Sequence, residues 1–167
     1  MPPHMKLFLQ KLTVGIVLRV VHAALVELYG MDSRVKAEFD ALPERMSYAI
    51  ATGHDAPALF VRWKKGKLVR LRQLSQAVCN LRVKSTAHSF QLFTGQMGLA
   101  QAYARHAFTM QGEIADVMKL ARLVNIVEAY LFPKLITKRI LTDIPALQAN
   151  PLRVYGRIAL GFLRFKY

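Results

Sequence analysis

Apolar and polar positions change period along this chain. Residues 6–29 keep apolar side chains in a helix-length run that Gly30 stops, and "MDSRVKAEFDAL" predicts a shorter helix, with Asp32 or Ser33 as cap and Pro43 closing it. The period then drops to two. "MSYAIATG" and "PALFVRWKKGKLVRLRQ" predict three short strands, with turns at "TGHDAP" and "KKGK". A fourth strand, "VCNLRVKS", sends Cys79, Leu81 and Val83 one way and Asn80, Arg82 and Lys84 the other. The same rule groups Leu59, Val61 and Trp63 opposite Arg62 and Lys64, and alternates Arg70 and Arg72 with Val69 and Leu71. The simplest sheet has one apolar face and one basic, solvated face carrying the arginines.

Helical spacing returns at "STAHSFQLFTG" and "MGLAQAYARH", followed by a strand, "AFTMQG", and a helix over residues 113–132 that Pro133 ends or kinks. "KLITKRIL" continues helically, "DIPALQANPL" with its two prolines reads as a linker of limited order, and "RVYGRIALGFLRFKY" predicts an amphipathic helix. In that last helix Arg153, Arg157 and Arg164 share one side, opposite Ile158, Leu160, Phe162 and Leu163. We expect one domain overall: N-terminal helices over residues 1–43, a core over 44–132, and a C-terminal helical extension over 133–167.

Composition changes this picture in two ways. Hydrophobic residues make up 53% of the 167, and mean hydropathy is +0.21. The best transmembrane candidate, residues 12–30, nevertheless contains Arg19, His22 and Glu27. Each charge near mid-membrane costs roughly 2.5–3.5 kcal/mol, so this segment is expected to be a buried or interfacial helix. The lone Cys79 rules out an intrachain disulfide, and no small-residue cleavage site follows the first apolar run. The expected location is therefore cytoplasmic, with peripheral contact at the inner membrane. Net charge is +14, and no acidic residue falls between Asp55 and Glu113. Such a field favours anionic partners, and candidate membrane or head-group contacts are Arg62, Lys64, Arg70, Arg72, Arg82, Lys84, Arg153, Arg157 and Arg164.

Catalytic signatures are sparse. Ser33 to Lys36 spells serine-x-x-lysine without the partner motifs of penicillin-recognising enzymes, and a helix start explains it. The five histidines show no metal-ligand spacing, and Cys79 sits on the apolar side of its strand. No enzyme activity, cofactor or metal is expected. A nucleic-acid-binding module is the rival from another class, but only Phe60 lies among the arginines as a stacking residue, so nucleic acid is not the expected partner. Soft apolar side chains are abundant where helices should cover the sheet: Phe90, Phe93, Met97, Tyr103, Phe108, Met110, Met118, Leu120, Ala121 and Val124. They fit either an ordinary core or the lining of a pocket for an apolar ligand of variable shape.

Residues 77–124, "AVCNLRVKSTAHSFQLFTGQMGLAQAYARHAFTMQGEIADVMKLARLV", resemble the lipid-binding domain of the sterol carrier protein type 2 family. The resemblance rests on a strand, a helix ending "QLFTG" at Gly95, an alanine-containing helix with Ala102, and Met110-Gln111-Gly112-Glu113 before the last helix. Glu113 stands where the family usually has Asp, and residues after Pro133 extend beyond the family core. The resemblance implies an α+β fold: a five-stranded, mostly antiparallel sheet with helices on one face and a hydrophobic tunnel between the layers. It also implies a non-catalytic protein that binds or transfers a fatty acid, acyl-CoA, phospholipid or sterol-like ligand. An alternative within the fold is an accessory factor presenting a polyprenylated, ubiquinone-type intermediate to enzymes.

Overall fold

A long apolar helix, α1 (Pro3–Tyr29), opens the fold and is followed by α2 (Ser33–Asp40). The computed structural model describes residues 3–53, 56–73, 77–141 and 143–163. After α2 come β1 (Ser47–Thr52), β2 (Ala58–Lys64), β3 (Lys67–Leu71) and β4 (Cys79–Val83). The chain continues through α3 (Thr86–Phe93), α4 (Leu99–Ala104), β5 (Phe108–Gln111), α5 (Ile114–Leu131), α6 (Lys134–Ile140) and α7 (Pro151–Leu163). The strands form one sheet in the order β3-β2-β1-β4-β5, parallel between β1 and β4 and antiparallel elsewhere. This is the expected α+β architecture.

Period-two alternation explains the sheet faces. Tyr48 and Ile50 lie in register with Val61 and Leu59 on one side and Cys79 and Leu81 on the other, and all six are buried under the helices. The opposite face carries Arg62, Lys64 and Arg82, while the small Ser47 and Ala49 are shielded there by their cross-strand neighbours Arg62, Phe60 and Asn80. One prediction is reversed at the edge. Arg70 pairs with Val61, which puts it on the helix-covered side with Leu68, whereas Val69 pairs with Arg62 on the open face. The two-residue hairpin at Lys65 and Gly66, both with positive φ, sets this register, and register decides which alternate set faces inward. His54 and Asp55 of the preceding predicted turn lie outside the described residues.

Glycine matters where backbones meet. Gly112 has φ +130, and a Cβ there would come 2.7 Å from the Val78 carbonyl oxygen, so β5 can turn into α5 only through glycine. At Gly98 a Cβ would overlap the Ile140 backbone, 2.8 Å from its carbonyl carbon, so the start of α4 lies directly against the end of α6.

The predicted linker has no regular secondary structure over residues 143–150, yet it is anchored. The buried Tyr130 hydroxyl accepts from the backbone N–H groups of Gln148 (2.9 Å) and Ala149 (3.1 Å) and donates to Asp32 Oδ2 (2.9 Å). Burial pushes the Asp32 carboxyl up, but its bonds from Arg34 and Tyr130 outweigh this and hold it below the usual carboxylate range. Ser33 also donates to Gln148 Oε1, so the serine of the serine-x-x-lysine pattern serves a helix start. From this anchor α7 packs on α1 and α5, burying Val154, Ile158 and Gly161.

Candidate functional site

Among the described residues, two apolar spaces stand out in the layer between the helices and the sheet. The larger is an open groove of about 550 Å³ between the second half of α1 and the β2–β3 hairpin. Helical spacing brings His22, Leu25, Val26 and Tyr29 of α1 to one wall, and Trp63, Leu68 and Arg70 supply the other. An aromatic group closes its end: Phe39 stacks on Trp63 at 5.1 Å between centroids, and Tyr29 meets Trp63 edge-on at 5.4 Å. Tyr29 is held by its hydroxyl, which donates to Asp40 Oδ1 (2.8 Å).

Charge at this groove is one-sided. Lys67 and Arg70 stand at the rim and, among the described residues, neither has an acidic partner. His22 is buried, and loss of solvation lowers its pKa, helped by the Arg70 charge and opposed by a backbone hydrogen bond at Leu68. It is therefore neutral at pH 7, leaving Lys67 and Arg70 as the cations of the site.

The smaller space is a narrow slot of about 50 Å³ between α1, α3 and α5 over β1 and β4. Ile50, Leu81, Leu92 and Val127 form its floor, and half-buried Phe93, Leu131 and Phe132 stand around it. Glu128 is its single titratable lining residue among those described. Burial pushes that carboxyl up to about 8.

The predicted ligand residues divide. Phe93 and Val124 line the slot. Met97, Phe108 and Leu120 are buried in the core, with Phe90, Met110 and Ala121 partly buried. Two are on the outside. Tyr103 is 72% exposed because α4 is a six-residue helix that buries only Ala102, and Met118 is 50% exposed because it lies on the outer side of α5, whose inner side packs through Val117 and Leu120.

The predicted cationic contacts also separate. Lys64, Arg72, Arg82, Lys84 and Arg153 are exposed, Arg62 is half-buried on the open face, and Arg70 belongs to the groove. Arg157 instead pairs with the buried Glu27 carboxylate at 2.5 Å, tying α7 to α1. Arg164 lies outside the described residues. Cys79 is buried, and burial pushes its thiol up to about 11, which makes it inert.

The sequence reading missed His22, Leu25, Val26, Tyr29, Phe39 and Lys67 as site residues. The available signal was the stripe His22, Leu25, Val26, Tyr29 at helical spacing, and for Glu128 an acid amid an apolar helical run.

No family model and no curated protein matches the chain. Solved structures similar to it include the UbiJ-SCP2 ubiquinone synthesis protein, at 14% identity and TM-score 0.46 over 65% of this chain and 96% of that one. Sterol Carrier Protein 2 from Yarrowia lipolytica is similar at 16% identity and TM-score 0.46, over 68% of this chain and 88% of that one. Sterol Carrier Protein 2 Like 2 from Aedes aegypti is similar at 16% identity and TM-score 0.36, over 57% and 94%. These structures carry the family name that residues 77–124 resemble.

Proposed function

We infer that this protein is a non-catalytic lipid-binding protein that holds the chain of an anionic amphiphile, such as a fatty acyl compound or phospholipid, in the groove beneath α1. The observation that carries this reading is an apolar space of about 550 Å³ with Lys67 and Arg70 at its rim, neither paired with an acid among the described residues. That volume falls in the range of roughly 300–1,000 Å³ typical of small-molecule sites. Burying each methylene contributes about 0.8 kcal/mol, so a sixteen-carbon chain supplies on the order of 12 kcal/mol before the costs of association. A charge-assisted hydrogen bond to Arg70 adds about 1.5–3 kcal/mol. The tail sets affinity and the cations set orientation.

An exposed apolar surface supports delivery at a membrane. In the first half of α1, Phe8 is 64% exposed, Met5 53%, Ile16 53% and Leu12 50%, with Lys6 and Arg19 beside them. This helix is long and apolar enough to span a bilayer, but its second half is built into the core. An interfacial role fits that division, with the basic residues drawn to anionic lipid.

Native mass spectrometry with organic extraction of the freshly purified protein tests the reading. A co-purifying amphiphile, and palmitate binding weakened about tenfold or more by Lys67→Glu with Arg70→Glu, are the expected results. A ligand-free chain that ignores acyl-CoA and anionic liposomes would sink it. Binding to nucleic acid that falls steeply with salt would favour the rival module.

A further inference from the structure

The slot over β1 and β4 contains a polar atom that the groove reading does not use. Glu128 is 7% exposed, lines the slot, and its Oε2 has no hydrogen-bond partner among the described residues. Buried polar groups are nearly always paired, and leaving one unpaired weakens a fold that a leucine at the same place would not. Every other described residue of the slot lining is apolar, so nothing there compensates a carboxylate. The acid keeps its proton at neutral pH, which makes it both a donor and an acceptor on the wall of an apolar space.

We propose that the slot binds an uncharged amphiphile with an oxygen head group, a long-chain alcohol or carbonyl compound. Its head exchanges hydrogen bonds with the Glu128 carboxyl while its chain leaves between Phe93, Leu131 and Phe132. The space of about 50 Å³ takes the head and the first carbons, and the half-buried side chains around it turn aside for the rest. A ligand with a carboxylate head is disfavoured here, since its charge would leave water for a lining that offers no cation among the described residues. The groove, with Lys67 and Arg70, has the opposite preference, so the two sites select different heads.

The test uses 1-tetradecanol and the full chain with ¹³C-labelled methyl groups. The alcohol is expected to shift the signals of Leu92, Val124 and Val127 in the slot. Its affinity should fall about tenfold in Glu128→Leu and stay within about threefold in Glu128→Gln, which keeps both a donor and an acceptor. Both variants retain side-chain volume, and thermal melting confirms that they fold. Equal affinity in wild type and Glu128→Leu, or shifts confined to Leu25 and Val26 in the groove, overturns the proposal. Palmitate binding at Lys67 and Arg70 is measured separately, so failure of the slot and failure of the groove are distinguishable.

Discussion

The groove and the slot lie along the same helix and over the same sheet, yet one is wide and open and the other nearly filled. Over β1 and β4, α1 faces α3 and α5, and the glycine at position 98 lets α4 come directly against the end of α6 beside Leu99 of the slot lining. Over β2 and β3, α1 faces an edge strand of five residues. There Phe39 and Trp63 fill one end, and the rest of the described lining comes from α1 and the hairpin. Cavity size in this layer follows how many elements converge on it: α1, α3 and α5 meet over the slot, whereas α1 and the hairpin supply most of the groove lining. The electrostatics also differ: Lys67 and Arg70 stand exposed at the open rim, whereas burial pushes the single acid of the slot lining up to about 8.

The comparison can be broken first at its aromatic wall. Trp63→Ala removes a side chain stacked on Phe39 and should cost about 3–5 kcal/mol by chemical denaturation. A loss below about 1 kcal/mol would mean that the aromatic group is not what shapes the groove. Gly98→Ala acts beside the slot, where α4 meets α6. Its Cβ meets backbone that cannot turn aside, and a destabilisation of about 3 kcal/mol is expected, lowering Tm by roughly 6–12 °C. An unchanged Tm would show that α4 and α6 are not in backbone contact.

Glu128→Leu probes the charge difference, and its effect depends on pH. The folded carboxyl titrates near 8 against 4.5 as its ordinary value. The native state therefore holds a proton that the unfolded chain has lost between those values, and wild-type stability falls as pH rises across that window. At its steepest the loss is about 1.4 kcal/mol per pH unit. The leucine variant lacks this loss, so its advantage should be small at pH 5, widen to about pH 8 and then level off. A difference that stays constant from pH 5 to 8.5 contradicts a buried, protonated Glu128. The smallest stability change is expected for Lys67→Ala with Arg70→Ala, within about 0.5 kcal/mol of wild type, although palmitate affinity should drop severalfold.

Most of the sheet was legible because strand alternation is a local property. Leu59, Val61 and Trp63 face the helices, Arg62 and Lys64 face away, and Gly112 turns the chain out of β5 at positive φ, all as residue pattern and steric freedom require. The candidate site was less legible. The apolar list from Phe90 to Val124 mixes slot walls with core and with exposed side chains such as Tyr103 and Met118. Amphipathic spacing tells which residues share a helix face, but does not say where along the sheet that helix stops burying it.

What the amino-acid sequence determines by itself is the set of elements, the basic balance and the abundance of soft apolar side chains, since these depend on neighbours within a few residues. Only the tertiary structure decides that Arg70 stands at a groove, that Arg157 is consumed by Glu27, that Tyr130 pins residues 148 and 149 to Asp32, and that Glu128 is sealed in a slot. Each of these rests on hairpin register or on segments far apart in the chain meeting at close range. Alternation and helical period carry no information about such meetings, because they repeat without reference to what lies opposite.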